Sequence, residues 1–279
     1  MEVRRRALPA GWYPATARDC RREIEDYLRA APPRPEGLER VRGGIVPHAG
    51  WLYSGRLAAW AFAAAAAERP EVVILFGGHL GQGPPRVILE DAWETPLGPL
   101  EIARELAGEL ARRLPCQREP EVPDNTLEIH LPMLKYLFPE VKLLAVRAPH
   151  TEDALRLGQE AAKLCRERGL TCLAFGSTDL THYGPDYGFM PVGLGERALG
   201  WVKGTNDARF IQAALELDAE ALLRLGPEEG SACSAGAAAA AVAAGRVLGA
   251  ERGRLLASYT SADVAPFGES FVGYAAITF

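Results

Sequence analysis

No run of this sequence is long and apolar enough to cross a bilayer. The two longest, residues 57 to 67 and 235 to 244, stop far short of the roughly 20 residues that a membrane span requires. A secretory leader would need an apolar stretch behind Arg4-Arg5-Arg6, yet Ala7-Leu8-Pro9-Ala10-Gly11-Trp12 breaks it at once. Cysteine is scarce and unpatterned: five residues, an odd number, with no Cys-x-x-Cys. That excludes a disulfide framework and a zinc ribbon, and it points to a reducing, cytoplasmic compartment. Basic charge is also in short supply. A net charge of -5 and a pI near 5.7 leave no concentrated cationic face for phosphates, so neither nucleic acid nor a membrane is expected as a partner. The one basic run, Arg4-Arg5-Arg6, is expected to be a solvated terminus.

Two catalytic signatures are missing as well. There is no Gly-x-Ser-x-Gly elbow, which weakens a Ser/His/Asp hydrolase built on Ser177 or Ser54. Gly77-Gly78 and Gly81-x-Gly83 are not followed by the lysine of a phosphate-binding P-loop.

What is present is an ordinary globular composition, 48% hydrophobic and 24% charged over 279 residues, read as one domain spanning 1–279. Apolar runs alternate with amphipathic ones. Strands are expected at 44–46, 72–76, 87–89, 141–146 and 172–175, and near the end at 259–263 and 271–279. Helices are expected at 16–29, 54–68, 101–114, from about 124, at 151–168 and 210–225, and behind Cys233 to about 248. Residues 183 to 205, rich in Gly and Pro, read as an irregular lid or rim. This order predicts an α/β fold with a central, mostly parallel or mixed sheet and helices on both faces.

Only five histidines occur, and three of them, His48, His79 and His182, follow apolar strand-like runs. In an open α/β sheet the ligand crevice lies beyond the carboxyl ends of the strands, so these imidazoles should converge there. His150 ends a fourth run but immediately precedes a helix, which makes loop or capping duty as fitting as chemistry. His130, amid Leu127, Leu131 and Leu134, reads as a hydrogen-bonded core residue. Imidazole is a common ligand for first-row metals, and a thiolate adds a soft donor. Cys233 stands before an Ala-rich helix whose amino-terminus would favour thiolate. Taken alone it reads equally well as a packed small hydrophobe, the reading given to Cys165 and Cys172. Asp179, three residues before His182, could orient a histidine ring by hydrogen bonding. Trp12 and Tyr13 read as an aromatic anchor for the amino-terminus.

The order Ala-Gly-Trp-Tyr-Pro, Pro-His-Ala-Gly-Trp-x-Tyr-Ser-Gly, Ile-Leu-x-Gly-x-His, Leu-Glu-x-His-Leu-Pro, Ser-Thr-Asp-x-x-His-Tyr-Gly, a late Cys and Val-Gly-Tyr-Ala-Ala resembles the Memo family across essentially the whole chain. The resemblance implies a fold similar to class III extradiol dioxygenases, non-haem iron(II) enzymes that open catechol rings. It also implies metal ligation by His48, His79 and Cys233, with His182 beside them as acid/base or as a fourth, weaker ligand; Asp179, on the spacing noted above, is the expected support for catalysis. Iron(II) is the expected metal, with copper or zinc as alternatives. Tyr53, Trp51, Trp12, Asp124 and Asn125 are the expected substrate-pocket residues. The expected reaction is dioxygen or redox chemistry on a small aromatic substrate. The rival readings are a metal or phosphotyrosine-peptide binding module and a metal-dependent hydrolase. Bacterial members often accompany radical S-adenosylmethionine proteins, an implied partner here. Two departures stand out: Asp124-Asn125-Thr126 replaces the Glu-His-Ser of many members, and Gly77-Gly78-His79-Leu80 replaces Gly-Pro-Ser-His-His.

Overall fold

A computed structural model describes residues 1–35, 37–265 and 268–279. In chain order the first half runs β1 (Val3–Arg4), α1 (Ala17–Arg29), β2 (Gly43–Val46), α2 (Arg56–Ala64), β3 (Val72–Gly77), β4 (Arg86–Val87), β5 (Ala92–Trp93), β6 (Leu100–Glu101), α3 (Arg104–Arg113), β7 (Gln117–Arg118), α4 (Asn125–Glu128) and α5 (Leu131–Leu137). The second half runs β8 (Lys142–Arg147), α6 (Asp153–Glu167), β9 (Cys172–Ser177), β10 (His182–Tyr183), α7 (Glu196–Trp201), α8 (Asp207–Leu215), α9 (Ala219–Glu229), α10 (Ala235–Val247), β11 (Arg254–Thr260) and β12 (Phe271–Thr278). None of the described helices is long and apolar enough to cross a membrane.

The main sheet runs β10-β12-β2-β9-β3-β8-β4-β7, with β11 also paired to β12. Its centre, β2-β9-β3-β8, is parallel, while β10, β11 and β12 pair antiparallel at one side and β4 is antiparallel to β8 at the other. The sheet is therefore mixed around a parallel middle, with helices on both faces as the sequence predicts. Strand alternation divides its side chains between two cores. Val72, Ile74 and Phe76 join Cys172 and Ala174 under α6 and α10, whereas Val73 and Leu75 join Leu173 and Phe175 on the face of α1, α2 and α5. Because the four central strands are parallel, their carboxyl ends all open on one edge. The chain emerges there toward His48, His79, His150 and Asp179.

Several expectations need correction. Arg4 is not solvated: it is buried, 3.5 Å from Glu90, with its guanidinium 4.7 Å over the Trp93 ring. A small sheet, β1-β5-β6, draws Arg4 inward, and the carboxylate and ring compensate its desolvated charge, while Arg5 stays exposed as expected. Residues 101–103 do not open α3, because Leu100–Glu101 pairs with β5. The predicted helix 210–225 is two helices. Leu217 adopts a left-handed φ of 55° and Asp218 caps the second through the amide of Ala221 at 2.8 Å. The stretch 183–205 is partly ordered helix, α7 followed by a π-helical turn at Val202–Asn206. Ala198 and Val202 bury against Tyr183 and Phe271 in a third apolar cluster. Ser261–Asp263 is a 3-10 turn after β11 and not strand.

Candidate metal centre

Three loops meet at the open edge. β2 delivers His48, whose main-chain N–H donates to Asp179 Oδ1 at 2.7 Å and whose carbonyl accepts from Asn125 Nδ2 at 2.9 Å. β3 delivers His79. The loop 231–234 delivers Cys233, held to the end of β9 because Cys233 N–H donates to the Asp179 carbonyl and Ser234 N–H to Thr178 Oγ1, at 3.2 and 3.0 Å. The resulting donor atoms of His48, His79 and Cys233 lie within 4.8 Å of one another. Cys233 Sγ is 3.2 Å from His48 Nε2, and the two imidazole rings stand edge to face with centroids 5.0 Å apart.

The backbone explains why the β3 loop is glycine-rich. His79 sits at φ 57°, a left-handed conformation uncommon for a side chain of its size and most often held where function requires it. A Cβ on Gly78 would stand 2.1 Å from Ser234 Oγ, so only glycine lets the His79 loop approach the Cys233 loop this closely. The Gly78 carbonyl accepts from Arg147 Nε at 2.8 Å and its N–H donates to Thr126 Oγ1 at 3.0 Å. Asp124 caps α4 through Thr126 N–H at 3.1 Å and lies 3.4 Å from Arg147 and 4.0 Å from His79 Nδ1.

Electrostatically the pocket is short of positive charge. Burial holds His48, His79 and His182 below the ordinary imidazole pKa, so all three are neutral at pH 7. Burial also pushes the Asp179 carboxyl up to about 6 and, aided by Asp179, pushes the Cys233 thiol up to about 12. The helix behind Cys233 therefore does not make a thiolate by itself: desolvation outweighs the dipole. A divalent cation would supply the missing charge and deprotonate the sulfur. Two neutral imidazoles and one thiol at this spacing fit a soft to borderline first-row metal.

A crevice of about 440 Å³ opens above this cluster, walled by Trp12, Tyr53, Asn125, His182, Tyr187 and Tyr274 among others. His182, whose side chain is 34% exposed, has Nε2 4.0 Å from Asp179 Oδ2 and its ring 4.9 Å from that of Tyr187.

Of the expected pocket residues, Trp12, Tyr53 and Asn125 line this crevice, and Trp51 does not. Trp51 is buried between Tyr13 and Tyr27, its indole N–H donating to the Ile129 carbonyl at 3.0 Å. A large ring beside α2 gains more from burial than from facing solvent. Asp124 lies behind His79 instead of in the wall. Asp179 orients the main chain of His48 and makes no hydrogen bond to either ring. The aromatic pair at the amino-terminus splits, with Tyr13 buried and donating to Glu128 at 2.8 Å and Trp12 forming wall. His130 is buried as expected, but it also joins Ser177, which touches His48. That connection, and the walls formed by Tyr187 and Tyr274, were missed. Tyr187 fell within a segment read only as irregular, and Tyr274 is one inward position of an ordinary strand. Ser54 donates to the Ala49 carbonyl at 3.0 Å and Ser177 is wholly buried, so neither hydroxyl is presented to the crevice as a nucleophile.

The comparisons identify the family. MEMO1 family proteins of Methanococcoides burtonii and Methanosarcina acetivorans are 32% and 31% identical over 282 and 287 residues, each alignment covering 99% of both chains. One of Pyrobaculum arsenaticum is 28% identical over 292 residues, covering 100% of this chain and 99% of the relative. A solved structure of an uncharacterized protein of Escherichia coli K12 superposes with a TM-score of 0.49 and 12% identity, covering 80% of this chain and 90% of that one. A family profile described as Memo-like protein matches residues 4–278; this chain belongs to the Memo-like protein family.

Proposed function

We propose that this chain is a non-haem iron protein that carries out dioxygen chemistry on a small aromatic substrate. The observation that carries the reading is the His48, His79 and Cys233 donor set, its atoms within 4.8 Å, with His48 and His79 lining an aromatic-walled crevice. When bound, iron(II) supplies the one-electron reactivity toward dioxygen that zinc lacks. The rest of the work falls to the protein. His182, neutral at pH 7 and with its side chain 34% exposed toward the crevice, accepts a proton from a substrate hydroxyl and returns it later, while its Nε2 is buried on the Asp179 side. Asp179, 4.0 Å away, stabilises the imidazolium that forms in between. Tyr187 and Tyr53 give a flat substrate ring two faces to pack against, and the buried floor limits water near the sulfur.

The lining argues against the phosphotyrosine-binding alternative. Among its described residues no Lys or Arg faces the crevice, while Asp179 and Asp186 do. Arg147, behind His79, is committed to Glu119 at 2.8 Å and to Asp124. A dianionic phosphate would find no Lys or Arg among the described lining residues.

The test is anaerobic reconstitution with iron(II), followed by dioxygen uptake with catechol. Uptake that depends on iron and disappears in His182→Ala is expected. Cleavage of an ester by the zinc-loaded chain, with no dioxygen consumed, would replace this reading by hydrolysis, and metal binding without any turnover would leave a binding protein.

A further inference from the structure

Ser177 Oγ lies 2.9 Å from Nδ1 of His48 and 2.9 Å from Nε2 of His130. All three side chains are buried, and those two nitrogens are the hydroxyl's hydrogen-bond partners among the described residues. A hydroxyl has one hydrogen to give, so Ser177 donates to one ring and accepts from the other. It follows that the two rings cannot choose their tautomers independently. Either both carry hydrogen on Nδ1 or both carry it on Nε2.

Metal ligation selects between these states. The nitrogen of His48 that faces Cys233 is Nε2, 3.2 Å from Sγ, and it can bind a metal only when bare. His48 then keeps its hydrogen on Nδ1, a state that the main chain of Ser177, facing the same ring, also favours. Ser177 accepts that hydrogen bond and turns its own hydrogen to His130 Nε2. The hydrogen of His130 is left on Nδ1, which is buried with no acceptor in reach, on a ring packed edge-on to Phe62 at 5.6 Å. An unpaired buried N–H is an unfavourable place for a hydrogen, so this state persists only because the chain through Ser177 imposes it.

We infer that Ser177 and His130 are positioning residues that lock His48 in its metal-binding tautomer, and that the tautomer of His130 follows ligation of His48. The inference rests on the metal-site reading above but not on any turnover. It extends to a third residue the usual pattern in which the far nitrogen of a ligating histidine is held by a partner.

The experiment uses zinc(II) as a diamagnetic probe and protein labelled with ¹⁵N in histidine. Two-bond ¹H–¹⁵N spectra of the zinc-loaded chain should show His130 with hydrogen on Nδ1 and a bare, acceptor-type Nε2. Chelator competition should show zinc affinity falling at least about tenfold in Ser177→Ala and in His130→Phe, the size expected for loss of an outer partner. The double variant should be no weaker than the weaker single one, because both substitutions cut the same chain. Hydrogen on Nε2 of His130 in the zinc-loaded protein, or additive losses in the double variant, would overturn the inference while leaving the metal site standing. Failure of the unaltered protein to bind zinc or iron at all would overturn both. The spectra of the unaltered chain decide the matter even if a variant does not fold.

Discussion

Cys233 Sγ stands 3.2 Å from His48 Nε2 across 185 residues of sequence. Among the described residues no Lys or Arg pairs with either group, and burial with Asp179 nearby pushes the thiol up to about 12, whereas the imidazole of His48 is held well below its ordinary value. Metal binding must therefore expel the thiol proton, while no histidine proton competes above pH 7. Affinity for zinc is expected to rise about tenfold per pH unit between about pH 7 and 9, with one proton released per metal. Calorimetry in buffers of different ionisation enthalpy measures that proton. A flat profile would mean that the sulfur does not bind the metal.

Removing the sulfur donor and removing the neighbouring imidazole should have opposite consequences for metal content. Cys233→Ser is expected to lose metal by more than the about 10–100-fold that loss of an outer partner costs. His182→Ala should retain metal and lose any oxygen uptake, since His182 faces the crevice without belonging to the donor cluster. Elemental analysis of untagged protein reconstituted in parallel distinguishes the two. Equal retention in both variants would dissolve the ligand set.

The parts of the fold and site that were readable from sequence are those fixed by local chemistry. A short apolar run such as Val72-Val73-Ile74-Leu75-Phe76, rich in β-branched residues and bounded by Pro70 and Gly77, reads as buried strand, and a parallel centre puts whatever follows it on one edge. The convergence of His48 and His79 was readable for that reason. Cys233 needed the family resemblance, because a cysteine ahead of an Ala-rich helix is equally good core. What stayed hidden depends on long-range partners. Arg4 is buried only because Glu90 and Trp93 come to meet it, and Trp51 turns inward because Tyr13 and Tyr27 make a slot for it. Ser177 sits between two rings from distant segments, and no local pattern marks a hydroxyl for that duty.

The close approach of the two metal-bearing loops rests on Gly78. A methyl group there would meet Ser234 Oγ at 2.1 Å and Ser234 Cβ at 2.2 Å, so Gly78→Ala must push the His79 loop away from Cys233. A cost of about 1–3 kcal/mol in stability is expected from such overpacking, together with a larger loss of metal affinity. Ser234→Gly removes the atoms in the way, and the double variant should recover most of the affinity. Unaltered affinity in Gly78→Ala would show that the loops move without disturbing the donors.

Away from the crevice, Asp207 on α8 is buried beneath β12, and burial raises its carboxyl to about 7 although Thr181 N–H and hydroxyl both donate to it. Below about pH 4 the group is neutral in both folded and unfolded chains, and its contribution to stability is complete. As pH rises toward about 7 the unfolded chain releases the proton that the folded chain retains, so stability falls, by on the order of 4 kcal/mol in all. Asp207→Asn keeps an acceptor for Thr181 and has no proton to lose. Urea unfolding should show the parent losing stability between about pH 4 and 7 relative to the variant, and parallel profiles would assign the loss to other groups.

The charge of the crevice lining sets which aromatic ligands it tolerates. Asp179 and Asp186 face it, no described lining residue is Lys or Arg, and Trp12, Tyr53, Tyr187 and Tyr274 present ring surface. Placing a carboxylate or phosphate among these groups meets like charge with no compensating donor of positive sign, whereas an ammonium finds both carboxylate and aromatic faces. Among catechols that differ only in the group at the far end of a two-carbon arm, the ammonium form is expected to bind the zinc-loaded protein at least about tenfold more tightly than the carboxylate, equivalent to about 1.4 kcal/mol. The neutral ethyl compound should fall between them. Raising the ionic strength should narrow the gap, because Asp186 is exposed and screened by salt, and Asp186→Asn should narrow it at low salt. A carboxylate that binds as well as the ammonium would mean that metal charge, and not the lining, governs selection.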